Sequence, residues 1–250
     1  MSGRLFVIGL GPAGDAMMTP EAAHALAQAR DLLGYAPYLA RIPENPGQTR
    51  HPSDNRVERG RAEQALALAA AGRDVALVSG GDAGVFGMAA TVFEAIEAGD
   101  PAWRGLDVTV IPGITAMLAA SARLGAPLGH DFCAISLSDN LKPWTMIEKR
   151  LRFAAEAGFV IALYNPISRA RPWQLGRAFA LLGAHLPAET PVAFARAIGR
   201  KDEAIAISPL ASADPVHADM ATLVIIGTAA SRLIARPGAR PWFYTPRFAS

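Results

Sequence analysis

Cysteine is almost missing from this chain of 250 residues; Cys133 is the only one. A single thiol forms no internal disulfide and cannot hold an iron–sulfur cluster. It lies in the apolar run 132–137 and is expected to pack in a core. Lysine is nearly as scarce, limited to Lys142, Lys149 and Lys201, while arginine is plentiful. Arginine forks pair carboxylates bidentately, so this bias suits an acidic ligand as well as a genome-wide preference. Charge of one sign is also lacking. The formal net charge is +2, which gives no reason to expect a nucleic-acid-binding face. No apolar run approaches the ~20 residues of a membrane span. The five histidines are scattered without ligand spacing, so no metal is expected. The N-terminal residues enter a strand-like run with no signal-peptide pattern, and the cytoplasm is the expected location.

What is present is a globular composition, 51% hydrophobic and 18% charged, long enough for one large or two small domains. The chain is organised around residues 78–87, Val-Ser-Gly-Gly-Asp-Ala-Gly-Val-Phe-Gly. An apolar run, 74–78, leads in and a helical pattern, 88–98, leads out, so the stretch reads as strand, glycine turn and helix start. Glycines and a carboxylate sit where the backbone must bend sharply and approach something closely. Turns at the C-terminal ends of strands are where open α/β sheets bind ligands. Asp82 suits a neutral or cationic ligand better than a bare phosphate, and an Asx-type turn bond is its alternative role.

Two further junctions have the same form. Residues 4–9 read as a buried parallel strand ending in Gly9-Leu10-Gly11-Pro12-Ala13-Gly14, a formal G-x-G-x-x-G match. A dinucleotide site would start its helix at once and carry an acid about 20 residues on. Here the helix starts later, with Thr19 as N-cap and Pro20 at the first helical position. Asp31 precedes the next apolar run instead of ending it, and Pro12 removes a donor from the turn. The third junction is the strand 107–111 followed by Pro112-Gly113-Ile114-Thr115-Ala116. Residues 35–61 read as a long polar loop.

Alternating strands and helices predict a first α/β domain, 1–124, with a mostly parallel sheet. The turn at Gly125 serves as hinge to a second α/β domain, 125–250. There, strands are expected at 132–137, 159–164, 191–196, 203–207 and 222–226. No convincing helix fits between the last ones, so a mixed sheet is expected. Apolar stripes at Met88, Val92 and Ile96, and at Leu175, Phe179 and Leu182, are core packing.

The three glycine turns, together with Leu163-Tyr164-Asn165-Pro166, resemble in order and spacing the tetrapyrrole (corrin/porphyrin) methylase family. The likeness covers nearly the whole chain. Ser136-Leu137-Ser138-Asp139 with Pro143-Trp144, Leu163 through Ser168, and Tyr244-Thr245-Pro246-Arg247 resemble the ring-contracting branch of that family, whose substrate is the tetrapyrrole precorrin-3B. Ala13 departs from a common glycine and Ala83 from a common proline, which implies altered turn stiffness rather than lost binding.

The resemblance implies a two-domain class III methyltransferase fold, usually a homodimer, that folds S-adenosylmethionine into the interdomain cleft and releases S-adenosylhomocysteine. It places the cofactor against Pro12, Gly80, Gly81, Asp82, Val85, Thr115, Ala116, Tyr164 and the backbone near Ala197. Candidates for proton transfer are His130, Ser136, Ser138 and Asp139, with a structural His130 and a helix-capping Asp139 as the alternatives. Candidates for pairing substrate carboxylates are Arg50, Arg56, Arg169, Arg171, Arg196 and Arg247, any of which could instead be a solvated surface charge. Without an iron–sulfur domain, the metal-free precursor is the expected substrate, with a cobalt-containing one as alternative. From other functional classes, a nicotinamide-dependent oxidoreductase and a non-catalytic binding module remain the rival expectations.

Overall fold

The computed structural model describes residues 2–54 and 57–248 and divides into two compact units, Met1–Ala116 and Met117–Ser250. The division falls at Ala116/Met117, not at Gly125.

The first unit runs β1 (Arg4–Gly9), α1 (Pro20–Gln28), β2 (Asp31–Tyr35), α2 (Ala36–Leu39), β3 (Thr49–Ser53), α3 (Glu58–Ala70), β4 (Val75–Ser79), α4 (Met88–Ala98) and β5 (Asp107–Ile111). Its sheet has the order β3-β2-β4-β1-β5, and every pairing is parallel. Side chains alternate across it. Leu5, Val7, Val75 and Leu77 pack under α3 and α4, while Phe6, Ile8, Ala76 and Val78 pack on the opposite side against α1. Burial on both faces explains why these strands are continuous apolar runs, each fully buried Leu or Val contributing about 1.5–3 kcal/mol. Thr19 caps α1 as the sequence predicts, its hydroxyl accepting from Ala22 N at 3.1 Å.

The expected loop 35–61 is more ordered than its composition suggests. It holds α2, the edge strand β3 and the start of α3. β3 reads Thr-Arg-His-Pro-Ser and has no apolar alternation. An edge position tolerates such a sequence, proline included.

The second unit contains α5 (Ala116–Leu124, from its second residue on), β6 (Gly125–Ala126), β7 (Phe132–Ser136), α6 (Trp144–Glu156), β8 (Val160–Tyr164), α7 (Gln174–Gly183), β9 (Pro191–Arg196), β10 (Ala204–Pro209), β11 (Thr222–Ile226), β12 (Arg232–Arg236) and β13 (Ala239–Tyr244). The main sheet, β10-β9-β11-β8-β7, is mixed as expected. Only β7 and β8, joined through α6, are parallel; the other pairs are antiparallel. Ile147 and Leu151 of α6 and Leu175, Phe179 and Leu182 of α7 cover Ile161, Leu163, Phe194 and Val224. Cys133 packs against this core, where burial pushes its thiol up to about 11, so it stays protonated and inert. A separate sheet, β12-β13-β6, was not anticipated.

Candidate active site

Strand order brings the three glycine turns together. β1 lies between β4 and β5, so the loops leaving their C-terminal ends are neighbours. Gly11 and Gly81 form an isolated antiparallel bridge, each N–H donating to the other's carbonyl at 2.9 Å. Both have left-handed backbones, φ +69° and +70°, which glycine adopts without steric cost. At Gly113 the constraint is proximity. A side chain there would begin 2.3 Å from Gly81 O and 2.6 Å from Gly9 O.

Asp82 joins the second and third turns. Its Oδ1 accepts from Gly84 N at 2.8 Å and its Oδ2 from Gly113 N at 2.9 Å. The Asx-type role therefore holds, extended across to a neighbouring loop. Ser79 Oγ accepts from Met88 N at 3.1 Å, tying the start of α4 back to its strand. The Tyr38 ring lies over Gly80, where a Cβ would come within 2.8 Å of it.

The first turn is built against a dinucleotide. Arg41 Nη2 donates to the carbonyls of Leu10 (3.1 Å), Gly11 (2.8 Å) and Ala13, so the loop wraps a guanidinium with its oxygens. α1 begins only at Pro20, and β2 ends in Tyr35, not an acid. These features overturn the nicotinamide expectation, which needs the helix N-terminus at the phosphates and an acid on the ribose.

In the second unit a polar cluster forms at the C-terminal ends of β7 and β8. Asn165 Nδ2 donates to Ser136 Oγ at 3.0 Å, and Ser138 N donates to the same oxygen at 3.3 Å. Asp139 does not cap α6; it accepts from Gln174 Nε2 at 3.3 Å on each carboxylate oxygen. Arg171 is buried, and its Nη1 donates to Asn165 O at 3.2 Å. The Tyr164 hydroxyl accepts from Met117 N at 3.1 Å. Among the described residues, the non-glycine positions with positive φ are Phe86 (53°), Asn165 (51°) and Ala197 (49°). All three lie in or beside turns the sequence marks, and such strain persists where structure over-determines it.

The sequence candidates divide accordingly. Pro12, Gly80, Gly81, Asp82, Val85, Thr115 and Ala116 share the three-turn end of the first sheet. Ser136, Ser138 and Asp139 share the second cluster. His130 does not join them. It precedes β7, and the strand, about 16 Å at ~3.3 Å per residue, separates it from Ser136; its Nδ1 accepts from Asp131 N at 2.7 Å. Arg50 is engaged by the carbonyls of Leu39, Ile42 and Pro43, where it closes the end of α2. Arg196 is held by Asp219 at 2.6 Å and Asp202 at 2.8 Å. Both guanidinium groups are engaged by partners within the chain. Arg169 and Arg247 are exposed, and Arg56 lies outside the described residues. Arg41, Gln174 and Lys142 escaped sequence reasoning. Lys142 is half-buried; burial and Arg150 pull its pKa down, against the charge of Asp139.

A glycine-turn parallel sheet with a second mixed α/β unit is the architecture of one methyltransferase class, and the comparisons agree. The family model of the Tetrapyrrole (Corrin/Porphyrin) Methylases matches residues 4–214; the chain belongs to that family. It is 60% identical to the Precorrin-3B C(17)-methyltransferase of Sinorhizobium sp, over 99% of this chain and 98% of that one. It is 47% identical to a probable cobalt-factor III C(17)-methyltransferase of Salmonella typhimurium, over 89% and 92%. The crystal structure of the methyltransferase CobJ superimposes with a TM-score of 0.93 at 52% identity, covering 98% of this chain and 100% of that one.

Proposed function

We propose that this chain is an S-adenosylmethionine-dependent C-methyltransferase of cobalamin biosynthesis, methylating precorrin-3B at C17 with ring contraction to precorrin-4. The 60% identity to the Sinorhizobium enzyme over essentially both full lengths carries this conclusion.

The residues of the first unit fit the cofactor. Its turns present backbone and a carboxylate, as a cationic donor requires. A Cβ at Gly81 would enter the space facing Thr115, whose Cα is its nearest neighbour at 3.8 Å. S-adenosylmethionine held there would supply an electrophilic methyl group, its sulfur keeping the electron pair of the C–S bond as a C–C bond forms, which would leave the substrate one proton to lose. Pro12, Gly80, Gly81, Val85, Thr115 and Ala116 would hold the cofactor, with Asp82 fixing the turns that do so. Alignment and exclusion of water are the main catalytic tasks in such a displacement.

Asp139, beside Ser136 and Ser138, is the proposed acceptor of the released proton. His130, at the far end of β7, is left out. Arg171, with Arg169 and Arg247 at the surface, is proposed to pair the substrate's carboxylates. The family likeness further supports a cytoplasmic homodimer; among the described residues no helix is long and apolar enough to cross a membrane.

Incubation with methyl-labelled cofactor and precorrin-3B, followed by product mass and NMR, tests the assignment. A contracted, C17-methylated product is expected. The 47% identity to the Salmonella protein favours cobalt-factor III as second reading, and turnover of the cobalt substrate alone would replace the first. Turnover of neither would leave a binding module.

A further inference from the structure

Gln174 opens α7 and is 1% exposed. A carboxylate only accepts hydrogen bonds, so the amide must present its NH₂ group to Asp139, as the two 3.3 Å contacts require. That orientation leaves Gln174 Oε1 buried without a partner among the described residues. A buried acceptor left unmade is destabilising, and leucine at this position would extend the apolar stripe of Leu175, Ala178 and Phe179 behind it. Packing therefore does not account for glutamine here. Holding Asp139 does.

Asp139 itself is half-buried, so its carboxylate, though both oxygens meet the amide, is not sealed from solvent. Lys142, three residues on, faces it electrostatically, and Arg150 of α6 faces Lys142 in turn. We infer that Gln174 is a positioning residue, whose buried amide fixes the Asp139 carboxylate in the orientation in which it takes up the substrate proton. The proton passes to a carboxylate oxygen, giving the neutral acid, which water then discharges. The inference rests on the reading of Asp139 as proton acceptor made above.

Without the amide donor, the Asp139 carboxylate loses the contact that holds its orientation. In the full-length enzyme, Gln174→Leu is expected to lower kcat roughly tenfold, a part of the ~10²–10⁴-fold that general acid–base groups supply. The loss should fall on kcat alone, with S-adenosylhomocysteine affinity within about twofold of the parent. Gln174→Glu, equal in size, replaces the donor with a second carboxylate that repels Asp139 and should also slow the reaction. Adding Gln174→Leu to Asp139→Asn should cost nothing further. A parental kcat in both Gln174 variants, with Asp139→Asn slow, overturns the positioning role alone. Parental kcat in Asp139→Asn overturns the reading beneath it.

Discussion

Gly11 and Gly81 lie 70 positions apart in the sequence and exchange both backbone hydrogen bonds at 2.9 Å. This bridge makes two turns one object, and Asp82 ties a third to it through Gly113 N. The end of the first sheet is thus cross-linked through its turns, by backbone between Gly11 and Gly81 and by the Asp82 carboxylate at Gly113, with the Tyr38 ring over Gly80.

Two glycine substitutions separate the contributions. Gly81→Ala meets no atom closer than 3.8 Å but keeps a φ of +70°, so its cost is backbone strain, about 1–2 kcal/mol. Gly113→Ala places a methyl 2.3 Å from Gly81 O and must push the turns apart. Thermal unfolding should show a modest loss for the first and a larger one for the second. Titration with S-adenosylhomocysteine should show the weaker binding in Gly113→Ala. Equal affinity in Gly113→Ala and the parent would remove the third turn from the site.

Asp82→Ala deletes two charge-assisted bonds to backbone N–H groups, each worth roughly 1.5–3 kcal/mol, but leaves the Gly11–Gly81 bridge intact. The fold should survive with a lowered Tm, and the dissociation constant for S-adenosylhomocysteine should rise about tenfold or more. Parental affinity would place the cofactor elsewhere.

A different carboxylate supports stability. Asp31 is 1% exposed and accepts from His51 Nε2 at 2.8 Å and from Arg73 Nε. Burial pushes its pKa up, but the hydrogen bonds and charges of Arg73 and His51 outweigh that and hold it below the ordinary value. The stabilisation is therefore full above the unfolded-state pKa of about 3.9 and is lost as pH falls through the lower folded-state value. Asp31→Asn should be less stable at pH 7 by about 1–3 kcal/mol, and urea midpoints of variant and parent should converge on acidification. Coincident midpoints from pH 7 to pH 3 would show that the pair contributes nothing.

Much of this architecture was legible because the strands of the first sheet are buried on both faces, and an unbroken apolar run followed by glycine is hard to mistake. β3 and β12 were not legible. β3 is a polar edge strand, and every residue of β12 is exposed, so neither carries the alternation that betrays a strand. At the site, residue type pointed to Asp82 and Asp139 but left open what each would hold. Gln174 and Arg41 were invisible for a related reason. The partner of Gln174 is 35 positions away, and Arg41 reaches carbonyls some 30 positions back; no local spacing encodes such a contact.

The arginines give the sharpest contrast between charge used by the fold and charge available to a ligand. Arg196 is held by two carboxylates and Arg50 by three carbonyls, so Arg196→Ala and Arg50→Ala should lower Tm and leave the KM for the tetrapyrrole near the parental value. Arg171 is buried beside Asn165, and no carboxylate lies within ion-pair distance of it among the described residues. Lysine in its place keeps the charge but loses the bidentate fork, so Arg171→Lys should raise that KM about tenfold, the equivalent of one charge-assisted hydrogen bond, with S-adenosylhomocysteine affinity unchanged. Steady-state kinetics on the three variants decide it. A KM that moves in Arg196→Ala and not in Arg171→Lys would reverse the assignment, because it would mean that the substrate displaces Asp202 or Asp219 instead of meeting a guanidinium bonded to no carboxylate among the described residues.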